Sequence, residues 1–388
     1  MFLPFLPLYV RQLGVTEIGQ VERVSGLLFA APFFAATVAT PVWGFLGDRH
    51  GRKLMVVRAS FGLALTTLLM GFATTIPQLL ILRVMQGAVS GFIAASLALM
   101  ASSAPRERMG YALGTLQTAI PTGTILGPLI GGTLADLIGY RQIFFVTSAS
   151  NLVAGLFVIW LVREGDRPPV TAGFGRVLEN YRTVFGSTQF RLLFFVLFGC
   201  QFALMALQPV MALYVESLGA QGRLLATTTG VIFAVTGVAS VIATPRWGRA
   251  GDRSGYRRAL GRAVAGSGLF ALPQGLVAAP WQLFLVRIPY GLFIGGIVPS
   301  AQAMIGLRAP DDRRAGIMGV TSTALMLGNL MGPLVGGAVA GALGLRSVFF
   351  LSAAVLIVIF FALHPGVVEP DRSAEPARAA GPGRAATP

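Results

Sequence analysis

Apolar runs of helix length, parted by short loops that hold most of the charge, set the first limit on what this chain can become. Charged side chains make up 12% of its 388 residues and hydrophobic ones 54%, whereas a soluble domain carries roughly 25% charged residues. About 20 apolar residues are needed to cross a ~30 Å hydrocarbon core as a helix, and a backbone in lipid must satisfy its own hydrogen bonds. The fold class that follows is an all-α membrane protein, with the lipid bilayer as its solvent. The spans read as one ending near Val10, then 24–46, 54–73, 77–100, 108–134, 141–162, 191–215, 224–245, 259–278, 281–305, 313–339 and 346–364. That is twelve helices, the first of them incomplete.

The net charge of +15 raises nucleic acid as a partner, and the placement of the cations argues against it. With twelve spans the loops alternate sides, and most of the 30 Lys and Arg residues fall on one side. Positively charged loops stay in the cytoplasm, so both termini are expected there. The charge encodes topology, and no nucleic-acid partner is implied. Cys200 is the single cysteine and lies within a span, which excludes a disulfide inside one chain. The only two histidines, His50 and His364, are far apart in sequence, and no phosphate-binding Gly-x-x-x-x-Gly-Lys-Ser/Thr loop occurs. No metal, no cofactor and no enzymatic activity are expected.

The chain also repeats itself. "PVWGFLGDRHGRK" (41–53) returns as "PRWGRAGDRSGYR" (245–257). In the same register Arg58 falls on Arg262, Arg83 on Arg287, Gly87 on Gly291 and Gln78 on Gln282. After a one-residue slip, "LGPLIGG" (126–132) falls on "MGPLVGG" (331–337). Two homologous six-helix halves follow, 1–162 and 191–365, joined by a linker, 163–190. Six is even, so the halves share one topology and are related by an axis along the membrane normal, with substrate expected near the midplane between them.

These residues resemble the major facilitator superfamily over essentially the whole chain. "GFLGDRHGRK" (44–53) is similar to its signature loop between helices 2 and 3. "PFLPLY" (4–9), "LRVMQG" (82–87) and "GTILGPLIGG" (123–132) resemble motifs of its twelve-helix drug–proton antiporter branch. The resemblance implies a bacterial multidrug efflux carrier that exchanges a small-molecule substrate for protons, and gives Arg83 a part in proton movement. The second copy of the helix 5 motif, Gly328 to Gly337, is unusual for that branch.

Each motif has a physical reading of its own. In the loops, Gly47 and Gly51 permit tight turns, and Asp48, Arg49, Arg52, Asp252 and Arg253 place fixed charge on the cytoplasmic face. Helices 5 and 11 begin on that face with their positive dipole ends. Asp48 is therefore expected to latch onto helix 11, and Asp252 onto helix 5, when that side is shut; the alternative is a pair of topology-setting turns. Gly123, Gly127, Pro128, Gly131, Gly332 and Pro333 read as a hinge and a tight seam against the other half, or as ordinary close packing of membrane helices. Arg83 and its twin Arg287 sit inside spans, where an arginine marks function unless it snorkels to the surface.

None of the fifteen acids lies in the middle of a helix. Glu22, Asp136 and Glu216 stand at outer helix ends; they are the only plausible proton carriers, but solvated rim charges are the favoured reading of each, so the coupling carboxylate is open. For substrate, Phe33, Phe34, Gln117, Gln201, Met205, Gln208, Tyr290 and Asn329 offer aromatic, adaptable and polar surface, with interhelical packing as the alternative for the amides. In the linker, Phe174, Val177, Leu178, Tyr181, Val184 and Phe185 form one helical face, expected to lie on the inner membrane surface. The tail, 366–388, is expected to be disordered. By the internal repeat, helix 1 should begin upstream of Met1, so an apolar in-frame extension is expected in the gene. The reading as a whole is a proton-driven efflux carrier in the bacterial plasma membrane, working as a monomer. A carrier for one metabolite and a transport-inactive sensor on the same scaffold are the alternatives.

Overall fold

The computed structural model describes residues 1–103, 108–162, 164, 174–220, 222–310, 312–366 and 368–369. Among them, sixteen α-helices follow one another without a strand. In the first half, a 3-10 turn leads into α1 (Leu6–Gln12), followed by α2 (Ile18–His50), α3 (Arg52–Phe72), α4 (Ile76–Ala88), α5 (Phe92–Ser103), α6 (Met109–Ile138) and α7 (Tyr140–Leu161). The linker helix α8 (Phe174–Gly186) leads to α9 (Thr188–Ala206), α10 (Met211–Ser217), α11 (Leu225–Ser254) and α12 (Tyr256–Ala271). The chain then runs through α13 (Pro280–Ile294), α14 (Ile297–Arg308), α15 (Arg314–Leu343) and α16 (Ser347–Gly366). Eight segments are each long and apolar enough to cross a membrane. With α1, α6, α12 and α16 they make the twelve-helix, two-bundle arrangement expected from sequence.

Three expected spans are each built from two helices. Span 77–100 is α4 and α5, parted at Gly91 with φ of 106°; span 191–215 is α9 and α10, parted where Pro209 has no N–H to give. Span 281–305 is α13 and α14, parted at Gly295-Gly296. The two repeated loops differ from expectation as well. α2 runs through Gly47, Asp48 and Arg49 to His50, and only Gly51, at φ 109°, separates it from α3. Gly255, at φ 95°, does the same between α11 and α12. Gly51 makes the turn, as read. Gly47 does not: it is helical and lets the side chain of Met55 approach, since a β-carbon there would stand 3.1 Å from Met55 Cγ.

The sequence repeat is also a repeat of contacts. Trp43 Nε1 donates to Ala88 O at 2.6 Å, and Trp247 Nε1 to Leu292 O at 2.7 Å. Tyr9 Oη donates to Ala73 O at 3.0 Å, and Tyr214 Oη to Gln274 O at 2.7 Å. The N-termini of α3 and α12 are each capped by a glutamate from beyond the last helix of their own half. Glu164 accepts from Arg52 N at 2.7 Å, while Glu369 accepts from Tyr256 N at 2.7 Å and Arg257 N at 2.8 Å. A carboxylate at a helix N-terminus satisfies orphan N–H groups and meets the positive end of the dipole.

Two expectations at the chain's joints are corrected by these contacts. Residues 368–369 belong to the fold, because Glu369 holds α12; residues 370–388 of the expected tail lie outside the described residues. The linker helix α8 packs on the protein: Val184 is fully buried in the core of the second half, Phe185 meets Phe194 at 5.1 Å, and Glu179 pairs with Arg313 at 2.7 Å. The side chains of Phe174, Val177 and Leu178 lie outside the described residues.

Candidate functional site: a cavity between the halves

The two halves meet along two seams at the arginine-poor end of the bundle. Lipid gives no hydrophobic drive for helices to associate, so close approach depends on small residues. In the α2–α15 seam a β-carbon on Gly341 would stand 2.7 Å from Gly19 O, and one on Gly337 2.5 Å from Glu22 O. Gly26 packs against the carbonyl of Pro333 in the same way. In the α6–α11 seam Gly230 meets Pro128 O and Gly132 meets Ala226 O. Polar contacts close the rim. Asp136 of the first half accepts from Ala226 N at 3.1 Å and Thr227 N at 2.7 Å, capping α11 of the second. Arg11 pairs with Glu216 across the halves at 2.5 Å.

Toward the arginine-rich end the same helices come apart: Phe45 on α2 is 68% exposed and Tyr111 on α6 is 79% exposed. Between the halves lies a cavity of about 580 Å³, within the range of small-molecule sites. Phe33, Met205, Gln208 and Asn329 line it, with Gly123 and Pro128 from the helix 5 motif. No charged side chain lies among the described lining residues.

The remaining sequence candidates are placed elsewhere. Phe34 is 60% exposed and outside the lining, as a helix must turn adjacent residues about 100° apart. Gln117 is exposed beside lining residues Leu116 and Ile120 for the same reason. Gln201 sits one layer back, donating to Asn329 Oδ1 at 2.6 Å and so orienting that lining amide. Tyr290 is fully buried in the core of the second half. Sequence reasoning missed Phe92, Ile93, Ser96 and Leu97 on α5, and Phe233 on α11. Phe233 was within reach, because the repeat lays it on Phe29, which also lines the cavity.

Arg83 and Arg287 stand behind the lining at 2% and 3% exposure, which removes the snorkelling alternative. Arg83 Nε donates to Leu28 O at 2.8 Å and Nη1 to Gln86 Oε1 at 2.5 Å, and its guanidinium lies 5.7 Å from the Phe2 ring. Arg287 Nη1 donates to Thr236 Oγ1 at 3.3 Å, and its guanidinium lies 5.7 Å from the ring of Phe233. The glycine motif divides by position. Gly123 faces open space, Gly127 and Gly131 face the backbone of Met1, and Gly332 and Pro333 face α9 and α2. The rim-charge reading is corrected for Glu22, which is 1% exposed; Asp136 and Glu216 do stand at the rim, one as a helix cap and the other in a partly exposed ion pair. Among the repeated-loop charges, Arg52 Nη1 donates to Ala98 O at 2.9 Å and Asp252 accepts from Tyr256 Oη at 2.6 Å. Arg49 and Arg253 are exposed, and the side chain of Asp48 lies outside the described residues.

Comparison with known proteins agrees with this architecture. The family model for the Major Facilitator Superfamily matches residues 1–229 and again 193–387. The chain is 36% identical over 367 residues to the multidrug resistance protein MdtG of Enterobacter lignolyticus, covering 95% of this chain and 87% of that one. It is 37% identical over 357 residues to MdtG of Citrobacter koseri, covering 92% and 88%. Two solved structures share the fold. A bacterial homolog of the human lysosomal transporter Spinster, inward-facing and occupied, has a TM-score of 0.76 at 13% identity, covering 94% of this chain and 92% of that one. A D-xylose–proton symporter has a TM-score of 0.76 at 15% identity, covering 95% and 92%.

Gly123 offers a direct check on the cavity. It lines the space, and nothing lies within 4 Å of a β-carbon built there, so Gly123→Leu should fold and fill part of the site. Fluorescence anisotropy of an amphipathic dye with the purified protein should show at least tenfold weaker binding, about 1.4 kcal/mol. Phe34→Leu, on the face turned away, should bind as the unsubstituted chain does.

Proposed function

Because the chain belongs to the major facilitator superfamily, we propose that it exports small amphipathic compounds across the bacterial inner membrane by alternating access, in exchange for protons. The observation that carries this reading is the uncharged cavity between two homologous halves, sealed at one end and open at the other. The arginine-rich loops put the open end in the cytoplasm, with both termini on that side. A compound would enter from the cytoplasm or inner leaflet, rest on Phe33, Phe233 and Met205, and be oriented by Gln208 and Asn329. A lining without charged side chains suits varied apolar cations better than a sugar acid or a peptide. The MdtG relatives, named for multidrug resistance, support export of many compounds rather than one. The working unit is a monomer, each chain holding its own cavity.

The test is a drug-susceptibility panel on an efflux-deficient host making this chain, with and without a protonophore. Resistance to several unrelated amphipathic drugs is expected, and its loss with the protonophore. Arg83→Ala should abolish resistance at equal membrane levels, because the guanidinium ties α4 to the α2 backbone beside the cavity. Arg83→Lys should restore it only in part, since lysine lacks the fork. Resistance to no compound, or full resistance with Arg83→Ala, would overturn the corresponding assignment.

Closing the cytoplasmic end calls for a latch of the kind Asp136 makes at the other end. In that closed state Asp48 meets the N-terminus of α15, and Asp252 exchanges its bond with Tyr256 for the N-terminus of α6. A charge there is worth roughly 0.3–1 kcal/mol, up to ~2 when partly buried. Asp48→Asn should therefore shift the balance toward the cytoplasm-open form by roughly two- to fivefold, up to about thirtyfold if the site is partly buried, and Asp252→Asn less, as Arg249 and Ala250 break its motif. Cysteine pairs across the cytoplasmic gap, in a Cys200→Ser background, would show a matching fall in crosslinking. Unchanged crosslinking would leave the loops as topology-setting turns.

A further inference from the structure

Glu22 is the one acid among the described residues that is fully enclosed, at 1% exposure, and its Oε1 has no hydrogen-bond partner. It sits on α2 within the seam between the halves, where its own carbonyl faces Gly337 of α15. An unpaired charge is costly to bury in such a place.

The charged and titratable groups on every element packed against α2 leave Glu22 unpaired. On α15 the only one is Arg314, at the opposite end of that helix from Gly337. On α4 it is Arg83, which spends Nε on Leu28 O and Nη1 on Gln86. On α1, Tyr9 donates to Ala73 O and Arg11 pairs with Glu216. On α3, Arg52, Lys53 and Arg58 all belong to the arginine-rich end. The neighbouring Arg23 is exposed and reaches Gly341 O at 3.4 Å.

A second observation continues from Glu22 toward the cavity. Ser25, three residues on and so on the same helix face, is fully buried, and its Oγ also lacks a partner. Next along α2 come Leu28, whose carbonyl holds Arg83, and Phe29, which lines the cavity. Arg83 Nη2 is likewise buried without a partner. Three orphaned polar groups thus follow one another from the seam to the back of the cavity wall.

We propose that Glu22 is the carboxylate that carries the exchanged proton, and that the α2–α15 seam closes only over its neutral form. This rests on the proton-exchange reading above. With the seam parted, the Glu22 carboxylate takes one proton from the outer medium as substrate leaves. With the seam shut, the carboxylic acid gives that proton up past Ser25 toward the cavity, and an ionised Glu22 left in the seam drives the halves apart again. One O–H bond forms and one breaks per cycle, and no other reactant is needed.

The test uses the full chain in proteoliposomes with a fluorescent amphipathic dye and two readouts: accumulation driven by an imposed pH gradient, and dye counterflow without a gradient. Glu22→Gln should lose accumulation, falling to the protein-free background, and keep counterflow. Glu17→Gln, an exposed carboxylate just before α2, should keep both. Accumulation by Glu22→Gln at the unsubstituted rate would overturn the assignment, and loss of both readouts would make Glu22 a structural residue and overturn it as well. If the unsubstituted chain performs counterflow but ignores the gradient, the proton-exchange reading itself falls.

Discussion

Everything in this molecule depends on how closely two helix pairs approach each other in a medium that does not push them together. Lipid tails are as apolar as leucine, so α2 meets α15 and α6 meets α11 only where missing side chains let backbones touch. Gly26 lies on Pro333 O, Gly337 on Glu22 O, and Gly230 on Pro128 O. The two prolines play a double part: each removes a backbone donor within its helix and presents its carbonyl to a glycine of the other half. The cavity sits where the seams end, and its shape follows from them.

The internal repeat makes each half a rigid body of the same construction. The tryptophan, tyrosine and glutamate contacts that tie helices together recur at the same positions in both. They are all within one half, whereas the halves meet through polar contacts at the rim, glycine contacts below it and an apolar cluster that joins Phe5 and Leu6 to Leu213 and Tyr214. The N-terminus of α11 is held by a carboxylate from the opposite half, Asp136.

Helix count, the two-half architecture and the family were legible in the sequence, since apolar length and a repeat in register survive any detail of packing. Part of the cavity lining was legible too, since Phe33, Met205, Gln208 and Asn329 fall on it. Phe34, Gln117 and Tyr290 were not separable from them, because the side a membrane helix turns to its partners leaves little trace when every face is apolar. The breaks within three spans escaped because Gly and Pro occur throughout such helices. Glu22 was misread for a related reason. Its position near a helix end suggested solvent, whereas the packing of α2 against helices distant in sequence leaves it 1% exposed. The Glu164 and Glu369 caps were missed although the repeat pairs them.

Alternating access makes one demand that no static arrangement can satisfy: the two ends must open in opposition. Spin labels at Gln20 and Leu343 would report the α2–α15 seam at the sealed end, and labels at Phe45 and Ala315 the same two helices at the open end; Gln20, Leu343, Phe45 and Ala315 are all exposed. Pulsed electron resonance distances in liposomes, in a Cys200→Ser background, would be compared with and without dye at two pH values. The account predicts two populations, with the first distance lengthening in the fraction of molecules where the second shortens. Distances that stay fixed under all conditions, or that lengthen together, would contradict it.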